Sequence, residues 1–139
     1  MNEMNAVKAY KGVGMEGIIA SWYARNTRRE SRHREMAERM AALIPAGSRV
    51  LEIAPGPGYF SIELARLGNY QITGLDISQS FVKMAQENAA RAGVDIDFRQ
   101  GNAADMPFAD ETFNFSICQS AFKNFSQPVQ ALKEMHRVL

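Results

Sequence analysis

Cysteine is nearly absent: Cys118 is the one thiol in 139 residues. A single thiol excludes an internal disulfide framework. Histidine is scarce, and neither His33 nor His136 has companions at metal-ligand spacing, so no metal site is expected. An excess of charge of one sign is also lacking, since sixteen Lys and Arg against fifteen Asp and Glu leave +1. No global field gathers nucleic acid or an anionic membrane surface, and neither is expected as a partner. No apolar run approaches the roughly 18–20 residues of a membrane span. The opening Met1-Asn2-Glu3-Met4-Asn5 has no basic stretch leading into an apolar one, so no secretory signal is read and a cytoplasmic setting is expected. Repeats and low-complexity tracts are missing as well. Hydrophobic residues at 46% and charged residues at 22% are globular values that exclude disorder and suit one domain with a core.

What is present alternates. Residues 1–24 are dotted with Gly12, Gly14 and Gly17 and read as an irregular N-terminal extension or lid, and residues 25–139 as the main domain. A helical pattern runs from Thr27 to Ile44 and stops at Pro45-Ala46-Gly47. A β-rich run, Arg49–Ile53, leads into Ala54-Pro55-Gly56-Pro57-Gly58, and Phe60–Leu67 reads as helix. Tyr70–Leu75 is a second strand, and Ser78 is the N-cap of a helix reaching Ala92, closed by Gly93. Val94–Arg99 is a third strand, Gly101–Thr112 a loop, and Phe113–Cys118 a fourth strand. Pro128 starts the last helix. Alternating strands and helices predict an α/β fold with a parallel sheet, order 3-2-1-4, covered on both faces. Ligands of such sheets sit outside the carboxyl ends of the strands, where the Gly-rich turn lies.

That turn lets backbone approach a ligand, and the helix after it offers free N–H donors. Glu52 stands two residues before the turn. Its charge would repel a pyrophosphate but attract an ammonium. Asp76 follows the second strand, where an acid accepts the hydroxyls of a ribose. Gly101-Asn102-Ala103 follows the third strand, where a short polar side chain and backbone N–H meet an adenine edge. A ligand with carboxylate, ammonium, ribose and adenine but no phosphate fits all three, and S-adenosylmethionine is such a ligand.

Val50–Gly58 resembles motif I of class I S-adenosylmethionine-dependent methyltransferases. Gly74-Leu75-Asp76-Ile77-Ser78 resembles their acidic loop, and Gly101–Phe108 their adenine-side motif. Phe113–Cys118 with Phe122-Lys123-Asn124-Phe125 resembles motif IV and the stretch after it. The resemblance covers about residues 36–139 and is nearest to the small-molecule branch with the quinone-biosynthesis C-methyltransferases. It implies a Rossmann-like fold, S-adenosyl-L-methionine as cofactor and a small-molecule methyl acceptor. It implies that Ala54, Gly56 and Gly58 approach the methionine part and that Glu52 supports its amino group. Asp76 then holds the ribose, Ile77 packs on the adenine, Asn102 and Ala103 meet its edge, and Gln119 lies near the methionine end and the acceptor.

Four departures stand out. Ala54 replaces the family's usual first Gly, which is tolerable where φ is negative. Asn102 replaces the commoner Asp, its amide oxygen still an acceptor. Lys123-Asn124 occupy positions that are often His, so a His-based role is not inherited; the catalytic residues stay unassigned, with Lys123 and Tyr23 as the candidate bases. The chain stops at Leu139, where family members continue into three more strands. A fourth strand without an outer neighbour, lacking Lys or Pro, predicts a homo-oligomer or association with the missing C-terminal part.

Two other readings compete. A nucleotide-binding oxidoreductase would place Ser61 in the third small slot of its fingerprint, against which Glu52 argues. A non-catalytic oligomerising fragment is the other. Arg25, Arg28, Arg29 and Arg32 fall on one helical face, either a solvated helix start or an anion-binding lid. Tyr10, Trp22 and Tyr23 stack on a flat acceptor or pack internally. Cys118 reads as a core residue and the methionines as apolar filler.

Overall fold

Four short β-rich runs pair into one sheet in this computed structural model, which describes residues 10–11 and 14–139. They are β1 (Arg49–Ile53), β2 (Gln71–Asp76), β3 (Asp97–Gln100) and β4 (Phe115–Cys118). The order is β3-β2-β1-β4 and every pairing is parallel, as the alternation predicted. Leu51 stands opposite Thr73 on one side and Ser116 on the other, and Thr73 opposite Asp97.

Helices cover both faces: α1 (Gly17–Thr27), α2 (Glu30–Ala41), α3 (Tyr59–Leu67), α4 (Gln79–Ala92) and α5 (Pro128–Arg137). Strand side chains alternate in direction and so divide between two layers. Val50 and Ile72 join Ala37, Phe60 and Leu64 of α2 and α3. Leu51, Ile53 and Leu75 join Ala131 of α5 with Met106, Phe113 and Phe125. Phe98 closes a third cluster with Ile62, Ala85 and Ala89, between α3 and α4.

The predicted punctuation holds where its chemistry is local. The Ser78 side chain accepts the Phe81 N–H, Gly93 is left-handed with φ 69°, and Pro128 opens α5. The strand starts shift. Val94 N–H is spent on Ala89 O beyond the glycine cap, so β3 begins only at Asp97. β4 begins at Phe115 rather than Phe113, and β2 ends at Asp76 rather than Leu75.

The N-terminal half departs more. Residues 1–9, 12 and 13, with Gly12, lie outside the described residues. Gly17–Thr27 is helical, where an irregular segment was expected. The single helix expected over Thr27–Ile44 is broken at Arg28-Arg29, both of which have ψ far from helical, 65° and 83°. Asn26 and Thr27 side chains donate to the Trp22 and Tyr23 carbonyls, and Thr27 O accepts the Arg29 N–H at 2.7 Å. Such polar side chains compete with helix continuation. The break also divides the arginines, so the single basic face does not form. Arg25 and Arg28 line a groove between α1, α3 and α4, and Arg29 and Arg32 line a different cavity.

β4 is a sheet edge. On α5, Ala131 and Glu134 turn inward while Val129 and Leu132 stay exposed, as does Leu139. Among the described residues no helix is long and apolar enough to cross a membrane.

Candidate active site

A cavity of about 990 Å³ opens at the carboxyl ends of the strands. Its floor is the turn after β1. Ala54 N–H donates to Leu75 O at 2.8 Å, Gly56 N–H to Asp76 Oδ2 at 2.9 Å, and Asn88 Nδ2 to Pro57 O at 3.0 Å. Gly56 and Gly58 are left-handed, with φ of 56° and 83°. So is Ala54, at φ 57°. The negative φ that would have made its Cβ harmless is not there. A left-handed L-residue costs about 1–2 kcal/mol, and glycine's extra unfolded freedom returns about 0.4–1 kcal/mol of that. Ala54→Gly is therefore expected to stabilise the chain by about 0.5–1 kcal/mol. Urea unfolding checks this: the midpoint should rise at unchanged slope, and a fall would contradict the strain.

Two carboxyls flank the turn. Glu52 is buried and accepts the Ser61 hydroxyl. Burial pushes its pKa up to about 7, against the pull of Ser61 and with a further push from Asp76. Ser61, the third small residue of the oxidoreductase reading, is thus occupied in holding Glu52. Asp76, also buried, accepts Gly56 N–H on Oδ2 and Ser78 N–H on Oδ1, each at 2.9 Å. Burial raises its pKa, and these backbone bonds oppose the rise.

The side walls receive the other expected residues. Ile77 is 41% exposed, its apolar surface on the cavity. Ala103 lines it beside Asn102. The Asn102 amide oxygen accepts Ala104 N–H at 2.9 Å in a local turn and keeps its second lone pair for a ligand. Gln119 lines the cavity just past β4, before Ser120 with φ 57°.

The candidate bases separate. Tyr23 lines the cavity, its ring 5.7 Å from that of Phe81. Lys123 does not line it: Phe122 and Phe125 pack their rings together at 5.6 Å, and Lys123, between them, is exposed. Asn124 takes the cavity-facing place. Tyr10 lines the cavity, whereas Trp22 is 59% exposed and stands outside it, because α1 buries Ala20 and Ala24 instead. Burial pushes the Cys118 thiol up to about 11, which suits a packing residue rather than a nucleophile.

Sequence reasoning read an extension or lid in residues 1–24 but not the bonds that hold Tyr10, Lys11 and Glu16 to the domain beside this cavity. Lys11 N–H donates to Asn124 O at 2.8 Å, and Tyr10 bridges to Phe125. At the other end Glu16 accepts the Gln79 and Ser80 N–H groups at 3.0 Å each, at the start of α4. The Ser80 hydroxyl also donates to Glu16, and it above all, with these backbone bonds, holds the carboxyl below the ordinary range. The signal was the open first turn of α4, whose N–H groups attract an acid.

Comparison with known proteins fits this geometry. The profile of the methyltransferase domain family matches residues 51–139. A demethylmenaquinone methyltransferase of Deinococcus radiodurans is 36% identical over 99 residues, covering 70% of this chain and 41% of that protein. The ubiquinone/menaquinone biosynthesis C-methyltransferase UbiE of Bdellovibrio bacteriovorus is 35% identical over 94 residues, 67% of this chain and 40% of its own. The chain thus spans about 40% of the length of these curated relatives. Among solved structures, the [4+2]-cyclase SpnF superposes with a TM-score of 0.73 at 28% identity, over 76% of this chain and 41% of that one. An S-adenosyl-L-methionine-dependent methyltransferase fold from Methanococcus maripaludis gives a TM-score of 0.86 at 20% identity, over 95% of this chain and 63% of the other. On the family profile and the site it covers, the chain belongs to the methyltransferase domain family.

Proposed function

We propose that this cavity binds S-adenosyl-L-methionine and that the protein methylates a small-molecule acceptor by in-line displacement. The observation that carries the reading is Glu52: a buried carboxyl with a hydroxyl partner, beside a turn whose glycines admit close backbone approach. An ammonium is the ligand group that suits it. Asp76 keeps a lone pair on each oxygen for ribose hydroxyls, and Ile77 offers the adenine an apolar wall. When bound, the cofactor supplies a methyl group already activated on a sulfonium. What the chain contributes is position and water exclusion, from the floor of glycines and from the strap at Tyr10 and Glu16. Residues 25–139 serve as the cofactor domain and the N-terminal segment as its lid. Of the two candidate bases, Tyr23 has the position. Methyl transfer from labelled cofactor into a metabolite extract is expected, and label entering only RNA or protein would contradict the acceptor class.

Glu52 makes binding depend on pH. Its folded pKa of about 7 lies above the ordinary 4.5, so its contribution to stability is present below 4.5 and lost as pH rises through 7. Cofactor binding has the opposite sign, because an ammonium favours the ionised form. Affinity should fall below pH 7 by up to about tenfold per unit, with a proton released on binding near pH 7. Calorimetry in buffers of different ionisation heat reads that release, and affinity flat from pH 5.5 to 8 would contradict the role of Glu52.

We place the protein in the cytoplasm, with the β4 edge covered by a second copy or by further polypeptide. The uncharged edge strand and the exposed Val129, Leu132 and Leu139 support this. Light scattering of this chain alone should show a dimer or larger, and a clean monomer at high concentration would contradict a second copy.

A further inference from the structure

A net charge of +1 over the whole chain hides a local imbalance. α1 places Tyr23, Asn26 and Thr27 on the large cavity, and Ser21, Ala24 and Arg25 on a separate groove of about 690 Å³. Four arginines line that groove: Arg25 and Arg28 from α1 and its C-terminal end, Arg66 from α3 and Arg91 from α4. Two carboxylates answer them, Glu30 and Glu63. Glu30 stands 3.5 Å from Arg28, and Glu63 2.7 Å from Arg66 and 3.5 Å from Arg34. Among the described residues, neither Arg25 nor Arg91 takes part in an ion pair. Two guanidiniums of the groove therefore go unmatched. Like charges gathered in a hollow repel one another and focus a positive field, and a bound anion relieves both.

The unmatched charge is also positioned. Arg91 Nη2 donates to Asn88 Oδ1 at 2.6 Å, and Asn88 Nδ2 donates in turn to Pro57 O at 3.0 Å. One bond aims the Arg91 guanidinium and leaves its other donors for a ligand. Tyr59 lines both the groove and the cavity, its hydroxyl tied to Ala24 O at 3.0 Å. Burial raises the Tyr59 pKa, while Arg28 and Arg91 draw it back, so charges from the end of α1 and from α4 act on one hydroxyl. We infer that this groove is a second ligand site and that it takes a phosphate group. Two unmatched charges suit a dianion, and guanidinium forks match its oxygens two at a time. Soluble phosphorylated molecules and phospholipid headgroups both carry that group, and the experiment separates them. The groove stands apart from the cofactor cavity, so the inference holds whatever that cavity binds.

The test titrates inorganic pyrophosphate into this chain by calorimetry at about 0.15 M ionic strength, where diffuse surface attraction is largely screened. Wild-type protein should bind one pyrophosphate per chain. Arg25→Gln and Arg91→Gln should each weaken it about fivefold or more, as a lost bond between charged groups does. Arg39→Gln is the control, an exposed arginine outside the groove that pairs with Glu35, and it should stay within about twofold. Arg25 is exposed and in no ion pair among the described residues, so its variant reads the site with the fold intact. The second arm is sedimentation with vesicles of phosphatidic acid in phosphatidylcholine, against phosphatidylcholine alone. Pyrophosphate binding lost in the groove variants assigns a soluble phosphorylated ligand. Phosphatidic acid binding alone, lost in the same variants, assigns a headgroup. Binding of neither probe would overturn the inference, as would binding that both groove variants keep. Equal loss in Arg39→Gln would mean diffuse charge and overturn it too. So would loss on Arg29→Gln or Arg32→Gln with the groove variants unaffected, because the anion would then lie in the large cavity.

Discussion

Replacing Asp76 with alanine is expected to weaken S-adenosylmethionine binding about ten- to 150-fold, on the scale of about 1.5–3 kcal/mol for hydrogen bonds to a charged group. Two losses combine. The ribose hydroxyls lose their acceptor. The turn after β1 also loses its tie to β2, because Gly56 N–H and Ser78 N–H both end on this carboxylate, each at 2.9 Å. Asp76→Asn distinguishes the two. An asparagine oxygen can still accept one of those N–H groups, but its amide nitrogen cannot accept the other. Its affinity should therefore lie between wild type and alanine. Calorimetry measures both variants, and alanine binding as tightly as wild type would mean that the site is assigned wrongly.

Gly58→Ala is expected to cost about 1.5–4 kcal/mol of stability, from about 1–2 for a left-handed L-residue and about 1–3 for overpacking, less the roughly 0.4–1 that a stiffer unfolded chain returns. Gly58 has φ 83°, and a Cβ there would stand 2.8 Å from Phe98 Cζ and 3.0 Å from Ala85 Cβ. Real Cβ atoms do not come that close to a packed ring. The same ring holds off Gly74, where an added Cβ would lie 2.5 Å from Phe98 Cδ1. Phe98, on β3 beside Gly74, thus limits how far the turn after β1 can move, although it does not line the cavity. The melting temperature should drop by roughly 5–15 °C. Phe98→Leu should recover part of the loss in the Gly58→Ala background, since the two sites are in contact and do not add independently. An unchanged melting temperature would show that the floor yields freely.

The architecture was legible because its signals are local and periodic. Ser78, Gly93 and Pro128 act within one turn of where they stand, and the strands alternate visibly with helices. The floor of the candidate cavity was legible for a related reason: Glu52 and Asp76 stand at the ends of β1 and β2, and Gly56 and Gly58 follow β1 within one short turn. What was hidden depends on partners far along the chain. Ala54 is left-handed where its N–H bonds Leu75 O on the neighbouring strand, a partner that no local pattern announces. The break at Arg28-Arg29 arises as Asn26 and Thr27 take carbonyls from α1, and a hydrophobic period reads straight through it. Lys123 looked available because a sequence does not reveal which residue of a short turn faces outward. The strap joins residues more than sixty positions apart, Glu16 to Ser80, so only the folded chain displays it. Asn102 shows the same limit at close range, since the bond its oxygen accepts from Ala104 N–H belongs to a local turn that the motif does not announce.

Equilibrium dialysis with methyl-tritiated S-adenosylmethionine tests the central claim most directly. The protein at pH 8, where Glu52 is ionised, is dialysed against increasing cofactor, with and without a large excess of NAD. The expected result is one saturable site per chain, displaced by S-adenosylhomocysteine and untouched by NAD. Saturable NAD binding with no retention of the tritiated cofactor would contradict it.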